Sequence, residues 1–205
     1  MIKALLFDFD GVLVDSFEIS FNASLITNKN WKNRKHYREL FNGNVYDGLK
    51  TAKARKRNAF FDIYGPKLMQ LRLTAGSADV LKELSKEYII LIVSSTPSFL
   101  IKSFFKRHKV LKYFTKILGS DFNKSKIHKI NYALKKYKLP PENCLFITDT
   151  LGDILEAKKC GVKSIAVTGG FHFQKTLRKG KPLKIINNLR SLPQEAKNYY
   201  TKIET

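Results

Sequence analysis

The chain has 205 residues, 43% of them hydrophobic and 27% charged, enough for a sizeable core that carries an insertion or for two small domains. No apolar run approaches the ~20 residues of a membrane-spanning helix, and the N-terminus lacks the charged-then-apolar layout of a signal peptide, so no membrane partner is expected and the cytoplasm is the expected compartment. Lys and Arg number 38 against 17 Asp and Glu, a net charge of +21. That field attracts any anion, but 30 of the 38 are Lys spread along the chain. A general compositional bias therefore explains the charge better than a dedicated nucleic-acid surface, where Arg prevails; nucleic acid remains a partner that is possible but not favoured.

In chain order, the first stretch is IKALLFDFDGVLVDS, residues 2–16. Its apolar run from Ile2 to Phe7 predicts a strand buried on both faces, as in a parallel sheet covered by helices. Asp8 and Asp10 then project from the strand's C-terminal end, where open α/β sheets bind ligands, and Gly11 lets the backbone turn or approach a ligand closely. Two carboxylates this close persist if a cation lies between them, if one is protonated or if they are solvated. Helical patterns follow over about 16–73: one from Ser16, a second stopping at Asn42-Gly43-Asn44, and a third from about Tyr46 to Tyr64, ended by Gly65-Pro66. The third presents Lys50, Lys53 and Arg57 on its polar side, a solvated face or an anion site, and Asn42–Asn44 is either an inter-helix turn or a substrate loop.

From Thr74 onward, strands and helices alternate. A helix over Ala78–Glu87 precedes a strand from Tyr88 to Val93 that ends in Ser94-Ser95, and a helix over Ser98–His108 precedes a short strand at Lys116–Leu118. A helix capped by Ser125 runs from Lys126 to Tyr137, and the strand CLFIT leads into Asp149. A helix over Ile154–Cys160, the strand SIAVT and a last short strand near Lys184–Ile186 complete the pattern, and the polar tail after Pro193 is expected to fray. This alternation predicts an α/β fold: a doubly wound parallel sheet, with 1–15 and 74–205 as the core and 16–73 as an inserted helical domain. Cys144 and Cys160 lack metal-type spacing and read as reduced thiols; His108, His128 and His172 read as surface residues.

Asp8 and Asp10, Ser94 and Ser95, and Asp149 all end predicted parallel strands, so residues about 140 positions apart are brought to one edge. Taken together, DFDGVLVDS (8–16), SSTP (94–97), a lysine near 126 and TDTLGD (148–153) resemble the four motifs of the haloacid dehalogenase superfamily of phosphohydrolases, in order and over nearly the full length. Within it the chain is most similar to phosphoglycolate-phosphatase-like members with a small helical cap.

The resemblance implies a Mg²⁺-dependent phosphatase for a small phosphorylated metabolite. Asp8 is then the nucleophile and a metal ligand, and Asp10 the acid and base, with its carbonyl on the metal. Asp149 completes the metal site, Asp153 orients a metal-bound water or Lys126, and Ser94, Ser95 and Lys126 hold the phosphate, with Gly11 in support. Lys126 is preferred to Lys124 as the third-motif lysine because it opens its helix and keeps Ile130 buried. Thr148 stands where relatives usually carry glycine. A phosphomutase of the same fold and a nucleic-acid end-phosphatase are the alternatives, and the first cap helix lacks the histidine found in similar mutases.

Overall fold

The computed structural model describes residues 3–27, 31–51 and 57–204. Six strands, β1 (Ala4–Phe7), β2 (Ile89–Val93), β3 (Lys116–Leu118), β4 (Cys144–Thr148), β5 (Lys163–Val167) and β6 (Lys184–Ile186), form one sheet in the order β3-β2-β1-β4-β5-β6. Every pairing is parallel, with Phe7 opposite Ile92 on one side and Ile147 on the other. The chain builds outward from β1 in one direction and then from β4 in the other. The reversal leaves a crevice beyond the C-terminal ends of β1 and β4, the place where doubly wound sheets hold ligands.

The period of two along each strand sorts the core into two layers. Leu5, Phe7, Ile90, Ile92, Leu145 and Ile147 face α5 (Ser77–Leu84), α6 (Ser98–Arg107) and α10 (Leu192–Glu204). Ala4, Leu6, Leu91, Val93 and Phe146 face α7 (Lys126–Tyr137) and α8 (Leu151–Lys159). Both faces are therefore apolar, which is why the strands read as unbroken hydrophobic runs. The short helix α9 (Gln174–Leu177) links β5 to β6 and buries Leu177.

Among the described residues between β1 and α5, the helical stretches are α1 (Phe17–Thr27), α2 (Arg34–Glu39), α3 (Val45–Thr51) and α4 (Arg57–Leu68). The chain leaves and re-enters the core side by side, where Val14 bridges Leu73 antiparallel and the Thr74 N–H donates to the Leu13 carbonyl at 3.0 Å. Of the helix expected over about Tyr46–Tyr64, the described residues are helical over Val45–Thr51 and Arg57–Leu68, and Lys53, like Ile2, lies outside the described residues. Helix α4 also continues through Gly65-Pro66 to Leu68. A residue before proline is normally pushed out of the helical region by its own side chain, and glycine has none, so the sequence's apparent stop signal is tolerated inside the helix.

The tail is the other departure. Residues after Pro193 do not fray but form α10, which buries Ala196, Tyr199 and Tyr200 against the sheet. The Tyr200 hydroxyl donates to the carbonyls of Ala4 at 2.9 Å and Asn143 at 3.2 Å. Apolar residues at i, i+3 and i+4 supply the docking stripe that the polar composition concealed.

Candidate active site

Strand β1 positions Asp8, whose backbone N–H prolongs the ladder to the Ile147 carbonyl at 2.9 Å. Its carboxylate accepts the Phe9 N–H at 2.7 Å and faces the Lys126 Nζ at 2.7 Å. Lys126 opens α7 directly after the Ser125 cap and also reaches Asp153 Oδ2 at 2.6 Å. All three side chains are buried. Burial by itself would lower the Lys126 pKa, but Asp153 and Asp8 outweigh it and push it above its ordinary value. Asp153 is held low against the cost of burial by Lys126, whereas burial wins at Asp8 and raises it. Lys126 is thus the lysine that reaches the two carboxylates, whereas Lys124 lines the cavity with its ammonium 5.9 Å from the centre of the Tyr46 ring.

Asp10 is fixed by three hydroxyls. Ser16 Oγ donates to Oδ1 at 2.7 Å, Thr96 Oγ1 donates to Oδ2 at 2.6 Å, and the Tyr64 hydroxyl of α4 donates to Oδ1. Burial, and then the neighbouring Asp10 carboxylate, push the Tyr64 pKa well up, so this phenol stays protonated and remains a donor. Ser95 and Thr96 line the cavity above. Ser94 is fully buried, does not line that cavity, and accepts the Thr96 N–H on its Oγ at 3.0 Å, so its hydroxyl shapes the turn that presents the next two residues.

Asp149 follows β4 and is fully buried. Its Oδ2 accepts the Phe171 N–H at 2.6 Å, while Oδ1 has no hydrogen-bond partner. Burial pushes its pKa up to about 7, against the opposing Phe171 N–H. A Cβ built on Gly11 or Gly170 would strike this carboxylate, and Gly11 has a positive φ of 75°. The glycines therefore leave a cradle that side chains would fill.

This arrangement suits a magnesium ion. Asp8 and Asp149 extend from adjacent strands, Asp149 offers an unsatisfied buried oxygen, and hard oxygen donors are what Mg²⁺ takes. Among the described residues no group of three His, Cys, Asp or Glu side chains forms a metal cage, so a backbone carbonyl such as that of Asp10 and waters would have to complete the shell.

Several contributors were not legible in the sequence. Thr148 donates its hydroxyl to Asp153 Oδ2 at 2.8 Å and so supports the partner of Lys126. His172, expected on the surface, is buried: its Nδ1 accepts the Leu151 N–H at 2.9 Å and its Nε2 lies 2.8 Å from the Arg38 carbonyl. One ring thereby ties the start of α8 to α2, and isolated histidines carry no signal for such a bridge. Asn44 donates to the buried Glu156 at 2.9 Å and accepts the Tyr46 N–H at 2.9 Å, so the Asn42–Asn44 turn docks on α8. A side chain at Gly152 would collide with the Gly43 carbonyl. Lys50, of the expected cationic face, is exposed and paired with Asp47 at 3.1 Å. Cys144 and Cys160 are both free.

A doubly wound α/β protein with carboxylates and a lysine gathered at its switch point is the class that fold and site define. The chain belongs to the haloacid dehalogenase-like hydrolase family, whose model matches residues 5–167. It is 29% identical to a phosphoglycolate phosphatase of Vibrio vulnificus over 68% of this chain and 64% of that protein, so the match spans less than two thirds of that relative. It is 26% identical to phosphoglycolate phosphatase 1 of Pseudomonas aeruginosa over 93% of this chain and 78% of that one. A haloacid dehalogenase-like hydrolase of Streptococcus pneumoniae shares the fold with a TM-score of 0.79 and 25% identity, covering 95% of this chain and 98% of its own.

Proposed function

We propose that this protein is a Mg²⁺-dependent phosphatase that hydrolyses a small phosphorylated metabolite through an aspartyl-phosphate on Asp8, with residues 1–15 and 74–205 as the catalytic core and 16–73 as a cap. The observation that carries this reading is the buried Lys126, which reaches Asp8 at 2.7 Å and Asp153 at 2.6 Å beneath a cavity that Asp8 and Asp10 also line.

A phosphate monoester repels an anionic nucleophile, so cations have to offset both charges. Magnesium, held by Asp8, Asp149 and the Asp10 carbonyl, supplies that neutralisation when bound. Lys126 adds a fixed positive charge, and Ser95, with the Ser94 turn behind it, offers hydrogen bonds to the oxygens that do not react. Asp8 attacks phosphorus and the ester P–O bond breaks. Asp10, held on both oxygens by hydroxyl donors, gives a proton to the departing alcohol and takes one from the water that then splits the aspartyl-phosphate, releasing orthophosphate and restoring Asp8. The inserted helices over the crevice exclude bulk water during these steps. Two free thiols fit a reducing cytoplasm.

Purified protein with Mg²⁺ should release orthophosphate from members of a panel of phosphorylated metabolites, in proportion to ester consumed. Asp8→Asn should lose roughly a thousandfold or more in kcat. Mg²⁺ should also raise the thermal midpoint of the native chain and leave that of Asp149→Asn unmoved, a readout independent of turnover. A variant at position 8 that keeps its rate would overturn the nucleophile assignment.

A further inference from the structure

Helix α7 runs back along the sheet from the C-terminal edge of the strands, and its buried residues are Lys126, Lys129, Ile130 and Ala133, a stripe at i, i+3, i+4 and i+7. Ile130 and Ala133 belong to the apolar layer that also holds Leu91, Val93 and Leu118. Lysines occupy the other two positions of the stripe. Lys126 meets the carboxylates of Asp8 and Asp153, whereas Lys129, 0% exposed, turns to the main chain, where its Nζ donates to the Ser94 carbonyl. A buried amine costs free energy that an apolar side chain of equal length would not. That cost is offset if the amine does something at Ser94 that carbon cannot.

Ser94 is tethered on three sides. Its N–H donates to the Leu118 carbonyl of β3 at 3.1 Å, its Oγ accepts the Thr96 N–H at 3.0 Å, and its carbonyl accepts from Lys129. The peptide that joins Ser94 to Ser95 is trans and planar, so a carbonyl turned toward Lys129 sets the Ser95 N–H facing away from it. Ser95, Thr96 and Lys126 line the cavity, and Lys129 lies beneath that lining. Helix α7 therefore carries one lysine into the phosphate site and, one turn later, a second that grips the strand end from which Ser95 projects.

We propose that Lys129 is a positioning residue for phosphate binding: by holding the Ser94 carbonyl it fixes the peptide plane before Ser95 and the spacing between Ser95 and Lys126. This rests on the phosphatase reading above, in which Ser95 and Lys126 hold the oxygens that do not react. Lys129 meets no reacting atom, and no bond forms or breaks at it.

Inorganic orthophosphate is the probe. In the isotope-labelled, Mg²⁺-loaded full chain, orthophosphate should move the Ser95 amide resonance saturably. Lys129→Met, which keeps the length and removes the donor, should displace that resonance before any phosphate is added. It should also weaken orthophosphate binding roughly tenfold, because phosphate donors lose factors of this size when their aim is off by less than 1 Å. With p-nitrophenyl phosphate as substrate, kcat/KM should fall by a similar factor. Lys129→Leu should behave alike, so the outcome does not hang on one variant folding, and both variants should keep the rise in thermal midpoint that Mg²⁺ gives the native chain. A lower midpoint with orthophosphate affinity and kcat/KM intact would mark Lys129 as structural support alone and overturn the inference, while leaving the phosphatase reading in place. Orthophosphate affinity that depends on Lys129, in a chain that releases phosphate from no ester, would sustain the positioning role and sink the phosphatase. A native chain that neither binds orthophosphate nor hydrolyses an ester would overturn both.

Discussion

Lys126 and Lys129 are one helical turn apart, and although burial acts to lower both, their pKa values move in opposite directions. Lys126 meets two carboxylates and keeps its proton, whereas the fully buried Lys129 donates to the Ser94 carbonyl and is pushed down to about 7 by burial and then by the Lys126 charge. The folded pKa of Lys129 therefore lies below the ordinary 10.5. Between these values the unfolded chain binds more protons, so stability should rise with pH across that window, by up to ~1.4 kcal/mol per pH unit. Lys129→Met should remove this component, which urea unfolding at pH 7 and pH 10 would show as a smaller gain than in the native chain. Thr148 offers a second test at this scale. Its hydroxyl supports a buried carboxylate, so Thr148→Val should cost about 1.5–3 kcal/mol in chemical denaturation, with Thr148→Ser recovering much of it.

At the scale of elements, the question is how helices inserted after β1 come to touch the chemistry. Helix α4 does so through Tyr64, whose hydroxyl reaches Asp10 across 54 positions of sequence. The tolerated Gly65-Pro66 step keeps that helix intact through Leu68. Because Tyr64 fixes the proposed acid and base, Tyr64→Phe should lower kcat by roughly tenfold with a smaller change in KM, read from steady-state phosphate release. An equal loss in kcat with every leaving group, including those that need no proton, would instead mark the tyrosine as structural support. Helix α2 makes its connection through Arg38, whose guanidinium lies 3.6 Å from the centre of the Phe17 ring and donates to the Gly170 and Phe171 carbonyls. The loop that supplies the Asp149 cradle is thus clamped by the same helices that roof the cavity.

For the molecule as a whole, the net charge of +21 is the most prominent property that the site does not consume. Scattered lysines raise the local concentration of any anion, a phosphorylated substrate included, without reading a sequence. Generic duplex DNA should therefore bind at low ionic strength and be lost by about 0.2–0.3 M salt, as counterion release predicts for contacts to phosphate alone. Retention above that salt, measured by fluorescence anisotropy, would point to a dedicated nucleic-acid surface.

The amino-acid sequence alone determined the parallel α/β sheet and the family likeness, because unbroken apolar runs ending in Asp8, Ser94 and Asp149 encode buried strands and their ligand-facing ends through local order. It also singled out Lys126, since a helix start and a buried stripe are local properties. Tertiary structure decided the rest. Which hydroxyls hold Asp10, how His172 bridges two helices, why the polar-looking tail docks, and that Trp31 and Phe60 wall the cavity all depend on residues brought together from distant positions. Such contacts leave no periodicity in the chain, because they are set by how the inserted helices fold back over the sheet.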